Sequence, residues 1–425
     1  MATIVVLGGG IGGLAAAFEL KDEVGKGNDI VLVSDQDYFE FTPSNPWVAV
    51  KWRTPEAIQL DLAELLPKHG IRFVGKAAKK VQPQEHNLLL ADDEVLAYDY
   101  LVIASGPRLA FDEIEGLGPD GFTHSVCKSS HAADVAKTID DFCANPGPVI
   151  IGAAQGASCY GPAYEYTFIL ETELRRRKIR DQVPMVYVTP EPYIGHMGLD
   201  GVGDTKGLLE SELRNRHIKW HTNTRIDKVE EGLMHITEVN EDGSDGASHE
   251  LPFAHSMILP AFTGIDAVRD IEGLVNPRGF IIVDEHQRNP KYHNIYGVGV
   301  CVAIPPVAPT PLPVGVPKTG YMIESMVTAT VGNIKLQLAG QELAEKATWN
   351  AFCLADFGDR GVAFMAVPQI PPRNTNWSGS GKWVHWAKIG FEKYYLRKMR
   401  QGKVEPFFEK FALRLMGVQK LKSSK

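Results

Sequence analysis

Twice in this chain an apolar strand runs into a glycine-rich turn and then into an apolar helix. Near the N-terminus, TIVVL (Thr3–Leu7) leads into Gly8-Gly9-Gly10-Ile11-Gly12-Gly13, then LAAAFELK, then a second strand, DIVLVS, ending near Ser34. From residue 148 the order repeats: PVIIGAAQGAS, the helix YEYTFILETELRRR, and the strand PMVYVT ending near Thr189. Gly8 and Gly152 stand in equivalent turns, 144 positions apart. A strand, a glycine turn and a helix in that order build a parallel βαβ unit, and the duplication predicts two related α/β domains. With 425 residues the chain exceeds the ~250–300 at which one core splits. Shorter β segments are expected at 98–106, 255–262, 279–288 and 294–299, and a helix beginning near Lys318. The predicted domains are 1–145 with 270–340, then 146–269, then 341–425. The fold class is α/β: two tandem Rossmann-like dinucleotide-binding domains plus a C-terminal amphipathic helical membrane-binding segment.

The first turn has what a pyrophosphate needs. Gly8 permits the tight turn, Gly10 lets backbone N–H groups approach the phosphates, and Gly13 lets helix and strand pack closely, with Gly12 beside it. The helix N-terminus then faces the anion. An acidic residue is expected at the end of the second strand to hold the ribose; Ser34 occupies that place and Asp35 follows, and either serves. The Ala104-Ser105-Gly106-Pro107 turn is similar to the Ala-Thr-Gly turn of flavin disulfide-reductase-type proteins, which makes FAD the expected cofactor, touched by Ser105 and Gly106.

The second turn reads Gly152-Ala153-Ala154-Gln155-Gly156-Ala157. A methyl on Ala154 obstructs close approach of backbone to pyrophosphate, so loss of nicotinamide binding is expected. Cys159 follows at once, near a helix N-terminus. That position favours thiolate and a lowered pKa, while the bland alternative is a small buried hydrophobe. The five cysteines (127, 143, 159, 301, 353) are odd in number and form no CxxC pair, so neither a zinc ribbon nor a disulfide framework is indicated. No metal site is expected.

Several longer strings carry a family resemblance. Pro43-Ser44-Asn45-Pro46-Trp47, Gly156 through Tyr166, Glu191-Pro192-Tyr193-Ile194-Gly195-His196, Pro317 through Glu324, and Cys353 followed by Asp359-Arg360-Gly361 resemble bacterial sulfide:quinone oxidoreductases over essentially the whole chain. The resemblance implies a pair of redox cysteines on one flavin face, Cys159 and Cys353, with Cys127 as a third thiol or as a point of flavin attachment. Sulfide attacks a sulfur bridge, and the thiolate released at Cys353 passes two electrons to FAD. By family position His131, Glu165 and His196 are candidates for proton handling. Cys143 and Cys301 have no such match and are read as structural. The helix start Lys318-Thr319-Gly320 is expected to stabilise the anionic reduced flavin. Val300 stands where related flavoproteins carry an Asp for the ribityl chain.

Charge is unevenly placed: residues 382–425 carry +9 and the rest −17. Apolar residues recur there at helical spacing, Val384, Ala387, Phe391, Tyr394, Tyr395 and then Phe407, Phe408, Phe411, Leu415, Met416. A basic amphipathic segment with aromatics suits a lipid headgroup boundary better than nucleic acid; the alternative is a helical pair packed on the protein's own core. No run reaches the ~18 apolar residues of a spanning helix, and no secretory signal is read. With the resemblance, the expectation is a peripheral protein of the cell inner membrane that reduces a quinone; by family position Phe391 and Phe408, with Tyr321, line the quinone site, and self-association is left open. The rivals are a type-II NADH:quinone dehydrogenase, a sulfide dehydrogenase subunit serving a cytochrome, and a non-enzymatic flavin-bound protein.

Overall fold

The computed structural model describes residues 1–405 and 419–422. Both duplicated units form as read. The first gives a five-stranded parallel sheet whose spatial order is Ile295–Gly297, Tyr100–Ile103, Thr3–Leu7, Asp29–Val33, Arg72–Val74. The second gives a four-stranded parallel sheet ordered Ile218–His221, Met185–Val188, Val149–Ala153, His255–Leu259. Their central strands, VVL and VIIGA, are buried on both faces, as continuous apolar runs in helix-flanked parallel sheets must be. An antiparallel trio of strands is inserted into each half, at 78–97 and 224–252.

The helix expected near Lys318 spans Gly320–Leu338 and packs on the first helix, Ile11–Val24. Residues 279–288 differ from the strand reading and make only isolated bridges at Ile281 and Arg288. Gly279 and Gln287 adopt positive φ of 79° and 64° there. The Asp284 carboxylate also accepts from the His286 and Arg288 backbones, so a local turn takes the hydrogen bonds a ladder would need.

The C-terminal region is not simply helical. A three-stranded antiparallel sheet, Ala351–Asp356, Gly361–Val367 and Thr375–Gly381, comes before the amphipathic helix Lys382–Arg400. That helix lies across the sheet on Val384, Lys388, Glu392, Tyr395, Leu396 and Met399 and leaves Trp383, Trp386 and Phe391 exposed. Three of the cations expected to meet lipid are instead buried: Lys388 pairs with Glu165, while Lys398 and Lys420 both pair with Glu324. No described helix is long and apolar enough to cross a membrane.

Candidate active site

The first glycine turn is an open cradle. Gly8 has φ +116°, and a Cβ there would lie 2.4 Å from the Ala104 carbonyl oxygen; a Cβ at Gly13 would lie 1.8 Å from that of Gly8. Only glycine fits either position. At Gly10, Gly106 and Gly320, by contrast, a Cβ would meet nothing within 4 Å, so the loop faces open space where phosphates of a dinucleotide fit. A Cβ at Gly12 would press on Ile323 of the Gly320–Leu338 helix. Ser34 is buried and its hydroxyl accepts from the Gln36 backbone, whereas Asp35 is exposed. Ser105 and Gly106 (φ +68°) close the neighbouring turn.

Lys318 lies over the Phe280 ring, and no described carboxylate is within ion-pair distance of it. Burial pushes its ammonium down to about 8, against the pull of Cys301 and Cys159. A buried cation without a carboxylate partner suits an anionic ligand such as a reduced flavin. Thr319 stands at the N-cap position of the following helix, but its hydroxyl donates to Gln369, a buried side chain that also donates to the Pro317 carbonyl.

The second turn is closed. Its helix starts nine residues after Gly152, at Gly161, where the first copy starts three after Gly8, at Ile11. The N–H of Gly156 donates to the Pro313 carbonyl at 2.7 Å, and the Ala157 carbonyl accepts from Gly315 at 2.9 Å. The proline-rich strap therefore lies on the turn a nucleotide would use. Gln155 forms a two-way amide pair with the Ile226 backbone, at 3.0 and 3.1 Å. Ala154 is fully buried among Ile150, Val188 and Ile258. Glu191, just past the second strand where a ribose-binding acid is expected, turns inward. It accepts from Tyr164, Thr189 and the Met197 backbone, and burial raises its carboxyl to about 7.

Beyond that closed turn three thiols gather. Cys159 precedes the Gly161–Arg176 helix, Cys353 sits on the Ala351–Asp356 strand, and Cys127 lies in the loop before the Ser129–Ala144 helix. Burial raises Cys159 to about 12, and the nearby Cys353, Cys127 and Glu165 add to the rise. The Gly161 N–H does pull the other way, as a helix N-terminus should, but desolvation and like charge win. The lowered pKa expected of Cys159 is thus reversed. Burial likewise holds Cys353 and Cys127 at about 11. Cys301 is buried with its sulfur 3.2 Å from the Ile103 and Val298 carbonyls, and Cys143 lies by Arg177 on its helix; both fit structural roles.

A buried polar cluster flanks the thiols. Glu165 pairs with Lys388 and accepts the Asp356 N–H at 2.6 Å; burial lifts its carboxyl above the usual range despite Lys388. The Asp356 side chain holds Trp47 Nε1 at 2.8 Å and His385 Nδ1 at 2.7 Å. Three residues of the Pro43–Trp47 string join separate parts of the site. Asn45 donates to the Val126 carbonyl beside Cys127, Trp47 to Asp356 on the Cys353 strand, and Ser44 to Glu392 on the C-terminal helix. Lys388, Asp356 and His385 were missed in the sequence. Their signal was a lysine and a glutamate at 388 and 392, spaced like the buried positions 384, 395 and 399.

His131 and His196 occupy other neighbourhoods. His131 stands near the Phe111 ring and Lys128, one residue from Cys127; His196 meets Tyr193 edge-on and accepts the Gly198 N–H. Burial lowers both, which favours the neutral imidazole in each. Phe391 packs with Phe41 and Tyr395, and Tyr321 meets Phe352 edge-on, next to Cys353. Phe408 lies outside the described residues.

The model of the pyridine nucleotide-disulphide oxidoreductase family matches residues 2–322. Sulfide-quinone reductase of Aquifex aeolicus (strain VF5) is 41% identical over 414 residues, 97% of this chain and 94% of that protein. The X-ray structure of the sulfide:quinone oxidoreductase from Aquifex aeolicus superposes with a TM-score of 0.95 at 40% identity, covering 100% of this chain and 98% of that one. NDH2 of Plasmodium falciparum, solved with NADH, gives a TM-score of 0.70 at 15% identity over 99% of this chain and 100% of that one, a likeness of fold.

Proposed function

The chain belongs to the pyridine nucleotide-disulphide oxidoreductase family and within it to the sulfide-quinone reductases, and from that premise we propose that it is an FAD-dependent sulfide:quinone oxidoreductase that oxidises HS⁻ to polysulfide or elemental sulfur. The observation that carries this reading is the gathering of Cys159, Cys353 and Cys127 beside Glu165 and Lys388, behind a turn strapped against nicotinamide. NADH as donor is disfavoured by the same strap.

Bound FAD supplies a two-electron acceptor that hands its electrons on to quinone; Gly8, Gly10, Gly12, Gly13, Ser34, Asp35, Ser105, Gly106, Lys318, Thr319 and Gly320 would hold it. Sulfide attacks the Cys159 sulfur of a bridge to Cys353. One S–S bond breaks, a persulfide forms on Cys159, and the Cys353 thiolate leaves with the electron pair. Burial favours the protonated form of the free Cys353 thiol, so the sulfur that leaves tends to gain a proton, and a base must take it for the thiolate to reach the flavin. Glu165 lies near both cysteines, and its raised carboxyl suits give-and-take of a proton. His131 and His196 are proposed as further proton acceptors, and Cys127 as the reserve thiol or flavin attachment. Phe391 and Tyr321 are proposed to border the quinone, which enters from the inner membrane where exposed Trp383, Trp386 and Phe391 meet lipid.

Anaerobic titration of the flavin-loaded enzyme with sulfide, in the presence of decylubiquinone, tests the reading in wild type and Cys353→Ala. Wild-type flavin is expected to bleach and recover, and the variant to lose at least about 10³-fold in reduction rate. A wild-type flavin that sulfide leaves oxidised removes sulfide as donor. Equal rates in the two proteins remove Cys353 from its role.

A further inference from the structure

We propose that His221, Glu238 and His249 form a site for one divalent transition-metal ion of the zinc class, on the second domain and separate from the thiols. His221 Nδ1 lies 3.0 Å and His249 Nε2 3.1 Å from the same carboxylate oxygen, Oε1 of Glu238, and the two imidazole rings are 5.0 Å apart. The three ligand atoms all fall within 4.8 Å of one another. A tetrahedral zinc ion with bonds of about 2.0–2.1 Å spaces its ligand atoms roughly 3.3–3.4 Å apart, so the ion enters with small side-chain shifts. Among the described residues no other trio of His, Cys, Asp and Glu meets this spacing.

The trio is assembled from three strands. His221 ends the edge strand Ile218–His221 of the parallel sheet, while Glu238 and His249 lie on neighbouring strands, Leu233–Val239 and Asp245–Pro252, of the antiparallel insert. The ladder pairs Ile236 with His249 and Thr224 with Glu238. Its register breaks between Thr237 and Val239, where Gly246 and Ala247 of the Asp245–Pro252 strand together oppose Glu238. Side chains two apart on a strand share a face, so Glu238, two positions along from Ile236, stands on the same face as His249, the cross-strand partner of Ile236. The side chains are 22%, 42% and 35% exposed, open enough for an ion to enter from solvent.

Two imidazoles and one carboxylate are a borderline-soft N₂O set. They suit zinc and its first-row neighbours rather than calcium or magnesium, which prefer all-oxygen shells. Three protein ligands leave one position for water. The ion would tie the edge strand of the parallel sheet to the antiparallel insert, which also packs on that sheet through the Gln155–Ile226 pair and the apolar cluster of Ile150, Val188, Ile226 and Ile236.

Titration of the full-length flavin-loaded enzyme with Zn²⁺, read by calorimetry and by X-ray absorption at the zinc edge, tests the site against the thiols, the competing soft ligands. Expected are one equivalent bound, a nitrogen and oxygen shell at about 2.0–2.1 Å, a loss of at least tenfold in affinity in both His249→Ala and Glu238→Gln, and unchanged sulfide turnover in those variants. A sulfur shell near 2.3 Å, affinities equal to wild type in both variants, or no saturable binding each overturns the proposal.

Discussion

The two glycine turns share an ancestry of form and have opposite surroundings. In the first, Gly10 and Gly106 face open space and the helix starts immediately; in the second, Ala154 is core, Gln155 is bonded to Ile226, and Pro313 and Gly315 lie on the loop. The helix delayed to Gly161 leaves room for Cys159 at the place a pyrophosphate would otherwise approach. On the reading proposed above, the difference teaches that a dinucleotide scaffold loses its ligand by more than one methyl group. A strap, an amide bridge and an inward-turned glutamate replace the nucleotide's contacts one by one.

The comparison breaks most visibly at Gly13. A Cβ there collides with the Gly8 carbonyl, so Gly13→Val is expected to purify with essentially no flavin, measured as flavin absorbance per protein; full occupancy would mean the cradle is misassigned. In the closed turn, Gln155→Ala leaves the N–H and carbonyl of Ile226 without their side-chain partner. It is expected to destabilise by about 1–3 kcal/mol in a denaturant melt while retaining flavin.

Glu191 sharpens the contrast through pH. Its carboxyl titrates near 7 in the fold against an ordinary 4.5, so between those values the folded state holds a proton the unfolded chain has released. Its share of stability is present below about 4.5 and is lost as pH rises through about 7. Glu191→Gln should flatten the fall in stability between pH 5 and 8 by on the order of 2 kcal/mol, and an unchanged slope would place the titration elsewhere. The smallest effect is expected from Ala154→Gly with Ala157→Gly. Restoring the glycine pattern leaves the strap in place, so NADH should still fail to bleach the flavin in a stopped-flow trace.

Much of this was legible in the sequence because it is local. Strand, turn and helix periodicity set both βαβ units, and the start of the last described helix at Lys382 agrees with where its apolar spacing begins. The sheet at 351–381 escaped because its strands, such as GVAFMAV, do not alternate and its last, TNWSGSG, is rich in glycine and serine. The basic tail was read from its charge, its helical spacing and its aromatics, none of which shows a partner inside the fold. Lys388, Lys398 and Lys420 are inside because glutamates 223, 74 and 96 positions away await them, which no window of sequence displays. The thiols were found as residue types, but their raised pKa depends on burial that only packing supplies.

The Pro43–Trp47 string sets a timetable for biosynthesis. Its partners Asp356 and Glu392 lie 309 and 348 residues later, so they leave the ribosome when most of the chain already exists. The flavin cradle, built mainly from early segments, can order during synthesis. The thiol pocket cannot close until the Lys382–Arg400 helix arrives, and a chain released early therefore carries a cofactor site without the chemistry it serves.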